Sequence, residues 1–251
     1  MSSEKSLAVV LRIVDFSESS YVVTLFTEDF GKITALAKGA KRPKGPFESA
    51  LDLLAVCRIV FLHKSSDALD LLTEAKLERR FRGATRNLAR LYAGYYVAEL
   101  LTELTDEGDP HAELFRAACD SLAALEGEEQ LDMVIVRYEL TALRLLGHLP
   151  RFGECVRCSD AVRGEGRIAF GQLAGGVLCQ RCRVGQRQVV SVTADTIRIL
   201  KQISDPQLPK SHKIEVKRTL RGELRGLLNQ YVSNLLGHRP KMHKYLELIA
   251  E

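Results

Sequence analysis

"SYVVTLFTEDFGKITALAKG", residues 20–39, decides how the first part of the chain folds. Two alternating, β-branched runs, 20–27 and 32–39, flank a centre of Asp29, Phe30 and Gly31, so "TEDFGK" predicts a tight hairpin. Runs of the same kind lie on either side: "LAVVLRIV" at 7–14, "LDLLAVCRIVFL" at 51–62 and "ALDLLTEAKLE" at 68–78. Turn-rich stretches at 17–20, 41–46 and 64–67 separate them. Five short strands within the first eighty or so residues predict a small barrel. A five-stranded OB-fold fits this pattern, and so does an SH3-like barrel.

After Arg79 the period changes. Leu88, Leu91, Tyr92, Tyr95 and Tyr96 recur at helical spacing, as do Leu114, Phe115, Ala118 and Leu122, and then Leu131, Val134, Ile135 and Tyr138. Gly108–Pro110 and Gly127 punctuate these into three helices. Thr193 is the expected N-cap of "ADTIRILKQI", and 213–236 reads as one long helix weakened by Gly222 and Gly226. With 251 residues, 46% hydrophobic and 27% charged, the chain is globular in composition. The expected fold class is α+β: an N-terminal barrel (1–80), then an α-helical domain (81–251) carrying a small insertion at 150–188.

The insertion holds "GECVRCSD" and "GVLCQRCRV": Cys155-x2-Cys158, twenty intervening residues, then Cys179-x2-Cys182. Two such pairs supply four thiolates in a tetrahedron, which suits one zinc ion. A four-thiolate site has no open position for water, so the role it predicts is structural. Cys57 and Cys119 stand alone on apolar segments and are expected in the core. "HAE" at 111–113 imitates a deaminase motif, but Cys155 is preceded by Glu154 rather than proline, and Cys179 and Cys182 would be left over. There is no Walker A, no Gly-x-Ser-x-Gly and no His-Glu-x-x-His, so no nucleotide cofactor is expected.

The formal net charge is only +4, but it is unevenly distributed. Between Tyr95 and Met133 eleven acids face one base, Arg116, whereas between Lys210 and Lys244 nine bases face two acids. From Arg79 to Arg90 there are five arginines and no acid, and "KGAKRPKG" at 38–45 packs four cations around Pro43. Loops that combine cations with free backbone N–H groups bind phosphate chains. Lys38, Lys41, Arg42 and Lys44 are therefore the candidate DNA contacts, with Lys32, Arg79, Arg80 and Arg82 beside them. Tyr21, Phe26 and Phe30 are aromatic enough to stack bases, although core positions suit each of them better. The N-terminus has no long apolar run and no uncharged stretch exceeds 13 residues, so a cytoplasmic chain with no membrane partner is expected.

"DFSESSYVVTLFTEDFGKITALAKGAKRPKG" (15–45) resembles the start of the bacterial recombination-mediator family RecO. "LPRFGECVRC…GGVLCQRC" (149–182) is similar to that family's zinc-binding insertion, including the Gly-Gly before the second cysteine pair. The likeness runs over the whole chain in order, more loosely after Lys210. It implies an OB-fold barrel, and a non-enzymatic, nucleoid-associated DNA repair and recombination protein. Such a protein binds single- and double-stranded DNA, anneals complementary strands without ATP, and works with RecR. It helps load RecA onto DNA coated by single-stranded-DNA-binding protein, whose acidic C-terminal tail it contacts. Some members lack the cysteines, which fits a structural metal. With the basic 210–244 stretch, the resemblance makes Arg218, Arg221 and Arg225 candidate contacts for that tail. The competing readings are a zinc-ribbon RNA-binding or transcription-associated factor, and a zinc hydrolase or deaminase acting on nucleic acid.

Overall fold

The computed structural model describes residues 2–43, 45–47, 50–63, 69–162, 164–207, 214 and 216–247. The chain divides into two compact units, Met1–Leu131 with Lys244–Glu251, and Asp132–His243.

In the first unit β1 (Ser2–Asp15), β2 (Tyr21–Thr27), β3 (Gly31–Ala37), β4 (Val56–His63) and β5 (Asp70–Arg79) close into a barrel in the order β1-β2-β3-β5-β4. β3 and β5 pair in parallel, Ala35 to Asp70 and Ala37 to Leu72, whereas every other pair is antiparallel. That arrangement is the OB-fold, which decides between the two barrels the strand pattern allows. β3 alternates inward and outward, with Ile33, Ala35 and Ala37 buried. The interior is filled largely by small and β-branched side chains, among them Ala8, Val10, Val23, Ala50, Ala55 and Ala75, as a narrow barrel requires. Phe26 is fully buried, while Tyr21 and Phe30 pack half-buried against the barrel interior, Phe30 edge-on to Phe61 at 5.3 Å. The three aromatics therefore serve the core.

β4 begins five residues later than the apolar run predicts. Leu54 sits at φ 64°, left-handed backbone that breaks an extended strand, and its N–H bonds the Val10 carbonyl at 2.9 Å. The hairpin between β2 and β3 forms as expected: Thr27 Oγ1 donates to the Gly31 carbonyl and accepts from the Phe30 N–H, both at 2.9 Å. Gly31 has φ 68°, and a Cβ there would lie 2.1 Å from the Asp109 carbonyl oxygen.

α1 (Gly83–Arg86), α2 (Leu88–Leu104) and α3 (Ala112–Glu126) follow, and the short α7 (His243–Glu247) lays Tyr245 on Tyr92 with ring centroids 4.9 Å apart. Asn87 caps α2 by accepting from the Arg90 N–H.

The second unit contains α4 (Leu131–Leu145), α5 (Ala194–Ile203) and α6 (Arg218–Leu236). Thr193 caps α5 as its sequence predicts. The expected helix over 213–236 begins at Arg218: Lys217 is extended at ψ 143° and Val216 is buried ahead of it, while Lys213 and Glu215 lie outside the described residues. Two strands of the insertion, β6 (Arg167–Gly171) and β7 (Gly176–Leu178), join β8 (Val189–Thr193), just after it, in an antiparallel sheet of order β7-β6-β8, which the sequence did not suggest. Among the described residues no helix is long and apolar enough to cross a membrane.

Gly31→Ala should destabilise the first unit by at least about 1 kcal/mol, because the strain of a left-handed alanine adds to a backbone clash. A urea midpoint equal to wild type would mean that the hairpin can move off Asp109.

Candidate metal centre and nucleic-acid interface

The Sγ atoms of Cys155, Cys158, Cys179 and Cys182 all lie within 4.8 Å of one another, and those of Cys158 and Cys179 are 3.8 Å apart. Four thiolates about 2.3 Å from a common centre would be about 3.8 Å apart, so the set fits a tetrahedral metal ion. Each pair sits on a tight turn. The Ser159 N–H bonds the Cys155 carbonyl and the Cys155 N–H bonds the Asp160 carbonyl, both at 2.8 Å, while the Arg183 N–H reaches the Cys179 carbonyl at 3.1 Å. Val156 and Arg151 join the first turn to Val177 of β7 by main-chain hydrogen bonds. The Gly-Gly before the second pair has a steric cause: at Gly176, φ 155°, a Cβ would stand 2.4 Å from the Arg151 carbonyl oxygen.

The thiols are electrostatically uneven. Burial raises Cys155, but the N–H groups of Cys179, Arg157 and Cys158 outweigh it and bring it to about 6. Cys179 is also lowered, chiefly by the Cys182 N–H. The Asp160 N–H pulls Cys158 down, yet burial and the other three thiols push it up to about 12. A divalent cation bound there would displace the shared protons, and all four thiolates would serve as ligands. Outside the cluster, Cys57 is fully buried and pushed to about 12 by desolvation, as a core thiol. Cys119 is only half-buried, less than its apolar segment suggests.

On the barrel, the loop after β3 holds Lys38 and Arg42 exposed, with no acidic partner among the described residues. Lys41 is engaged: its Nζ is 2.6 Å from Asp15 Oδ1, donates to the Ser17 carbonyl at 3.1 Å and lies 5.0 Å from the Tyr21 ring centroid. Lys44 lies outside the described residues. Lys32 donates to the Thr102 and Thr105 carbonyls at 2.7 and 2.5 Å, so it caps the C-terminus of α2, where a cation also favours the helix dipole. Arg79 donates to the Cys119 carbonyl, and Arg80 lies 3.5 Å from Asp52. Arg82 is exposed; Arg86 and Arg90 donate to carbonyls at the end of α3 and just beyond it. His111, of the deaminase-like triplet, pairs with Asp109 at 3.0 Å.

The family models described as Recombination protein O N terminal and Recombination protein O C terminal match residues 1–81 and 85–244. The chain belongs to the recombination protein O family. It is 43% identical to a protein of Rhodopirellula baltica over 96% of this chain and 97% of that one. It is 32% identical to one of Anaeromyxobacter dehalogenans, over 100% and 98%, and to one of Myxococcus xanthus, over 97% and 96%. Each of these relatives is named DNA repair protein RecO.

In the region matching the family's C-terminal model, the three arginines singled out on α6 differ in kind. Arg218 is exposed. Arg221 lies 4.0 Å from Asp132. Arg225 makes a 2.6 Å ion pair with Glu139, a residue with no exposed surface, and also bonds Asn229. His243 adds no positive charge there: burial, and then Arg225 and Arg239, hold its imidazole down at about 4. The Glu139–Arg225 pair escaped the sequence reading, although an acid beside Ile135, Tyr138 and Ala142 on the apolar stripe of α4 was the signal for it.

Arg225 is thus a structural residue of the second unit. Arg225→Met removes the guanidinium 2.6 Å from buried Glu139 and should destabilise by about 3–5 kcal/mol. Arg218→Glu, at an exposed site, should stay within about 0.5 kcal/mol of wild type. Chemical denaturation of both variants checks this, and equal midpoints for the two would contradict it.

Proposed function

We propose that this chain is a recombination mediator that brings DNA strands together without catalysing a reaction. It binds single- and double-stranded DNA through the barrel (1–80), anneals complementary strands without ATP, and acts in the cytoplasm at the nucleoid. The observation that carries the reading is the exposed Lys38–Arg42 loop on an OB-fold barrel of a family whose relatives are DNA repair proteins. Annealing requires two polyanions to approach. A cationic surface lowers their repulsion and raises local strand concentration, and base pairing then supplies the free energy.

The helical domain (81–251) is proposed to meet the protein partners: RecR, RecA loading, and the acidic tail of single-stranded-DNA-binding protein. Arg218 suits the tail, being exposed, whereas Arg221 and Arg225 have acids beside them. The metal is proposed to be one structural zinc on Cys155, Cys158, Cys179 and Cys182. Four thiolates leave it no open position, which argues against hydrolase or deaminase chemistry. A zinc-ribbon RNA-binding or transcription factor would share the insertion but would not anneal bare DNA strands.

Elemental analysis should find one zinc per chain after purification under reducing conditions, and Cys179→Ser should lose it and loosen the insertion. Zinc-free wild-type protein would overturn the assignment.

For the DNA loop, each single-strand phosphate contact contributes roughly 0.7 to the slope of log affinity against log salt. Lys38→Glu with Arg42→Glu should flatten that slope by about 1.4 or more and slow annealing in parallel, with zinc content unchanged. An unchanged slope with unchanged annealing would place the DNA site elsewhere.

A further inference from the structure

Phe16 is 61% exposed, in the turn between β1 and β2, while Phe26, Phe47 and Phe61 are buried. Its surroundings are built. The N–H groups of Phe16 and Ser17 both reach the Ser20 carbonyl, at 3.1 and 3.3 Å, which closes the turn on itself. Lys41 then grips the residues on both sides of Phe16: its Nζ pairs with Asp15 and donates to the Ser17 carbonyl. Its N–H bonds the Ser19 carbonyl at 3.1 Å, and the Gly39 N–H bonds Ser20 Oγ at 3.2 Å. The turn bearing Phe16 is therefore fastened to the loop that presents Lys38 and Arg42. Lys41 positions this turn rather than holding phosphate.

A flat apolar ring beside exposed cations matches one ligand chemistry well: an unpaired base on an anionic backbone. We propose that Phe16 stacks a base of single-stranded DNA whose phosphates lie on Lys38 and Arg42. This rests on the DNA-loop reading above and adds a preference to it, since bases inside a duplex offer no free face. Phosphate contacts alone would not distinguish the two strand states in this way.

The chain contains no tryptophan, so Phe16→Trp gives the full-length protein a single indole at the site. A short oligothymidylate should quench its fluorescence, whereas an abasic strand and a duplex of equal length should not. Phe16→Ala should weaken oligothymidylate binding at least about fivefold with the salt slope unchanged, because stacking releases no counterions, and Phe16→Tyr should retain most of the affinity. An indole that stays bright while oligothymidylate binds would overturn the proposal. So would Phe16→Ala binding as tightly as wild type, the result expected if the ring docks a protein instead. If Lys38→Glu with Arg42→Glu flattens the salt slope but the indole stays silent, stacking alone fails. If neither responds, the loop reading fails with it.

Discussion

β1 hydrogen-bonds on both edges, and the barrel depends on it. Its first half pairs with β4, Ser2 to His63 through Val9 to Val56, and its second half with β2, Ala8 to Thr27 through Asp15 to Tyr21. A register shift between Val10 and Arg12 gives the strand the extra bend that serving two neighbours demands. Closure shortens the edge left for another chain to pair with, although β3 and β5 meet only over Ala35–Ala37 and Asp70–Leu72. Tyr21 of β2 pairs with Asp15 on one side and Ala37 on the other, so the turn after Asp15 and the loop after Ala37 become neighbours although more than twenty residues separate them.

This proximity is what local patterns cannot carry. The strands were legible because alternation is local, and the β2–β3 hairpin because Gly31 marks its turn. The late start of β4 was not, because Leu54 looks like strand sequence and is diverted by its bond to Val10, a long-range contact. Phe16 was invisible as a surface aromatic for a similar reason: it extends the apolar run of β1, and only the turn exposes it. The choice between OB-fold and SH3-like barrel rested on the β3–β5 pairing, which no residue in either strand announces.

In the second unit the metal ligands were the most legible feature, because two short, fixed spacings encode a tetrahedron directly. The sheet that carries them was not. β7 spans only Gly176–Leu178, too short for a period to register, and its pairing with β6 is organised around the cysteine turns by Arg151, Val156 and Val177. The motif thus reveals the site, while the scaffold emerges only from the contacts that hold its turns together.

Counting charge along the chain overstates how much of it faces a ligand. Lys32, Arg79 and Arg90 look like Lys38 and Arg42 in sequence, yet their side chains donate to main-chain carbonyls within the first unit. Lys32 and Arg90 there satisfy acceptors that helix ends and turns leave unpaired, whereas Arg79 reaches a carbonyl in the middle of α3. They keep their charge and add to the long-range field, but a donor already held by a carbonyl cannot take a phosphate without breaking that bond. Arg225 is the extreme case, since Glu139 neutralises it in the interior. Composition therefore fixes the field around each unit, and geometry decides which cations can release counterions to a polyanion. Lys38 and Arg42 on the barrel, and Arg82 just beyond it, meet that condition, which is why the loop after β3, and not the arginine-rich stretch 79–90 as a whole, carries the DNA reading.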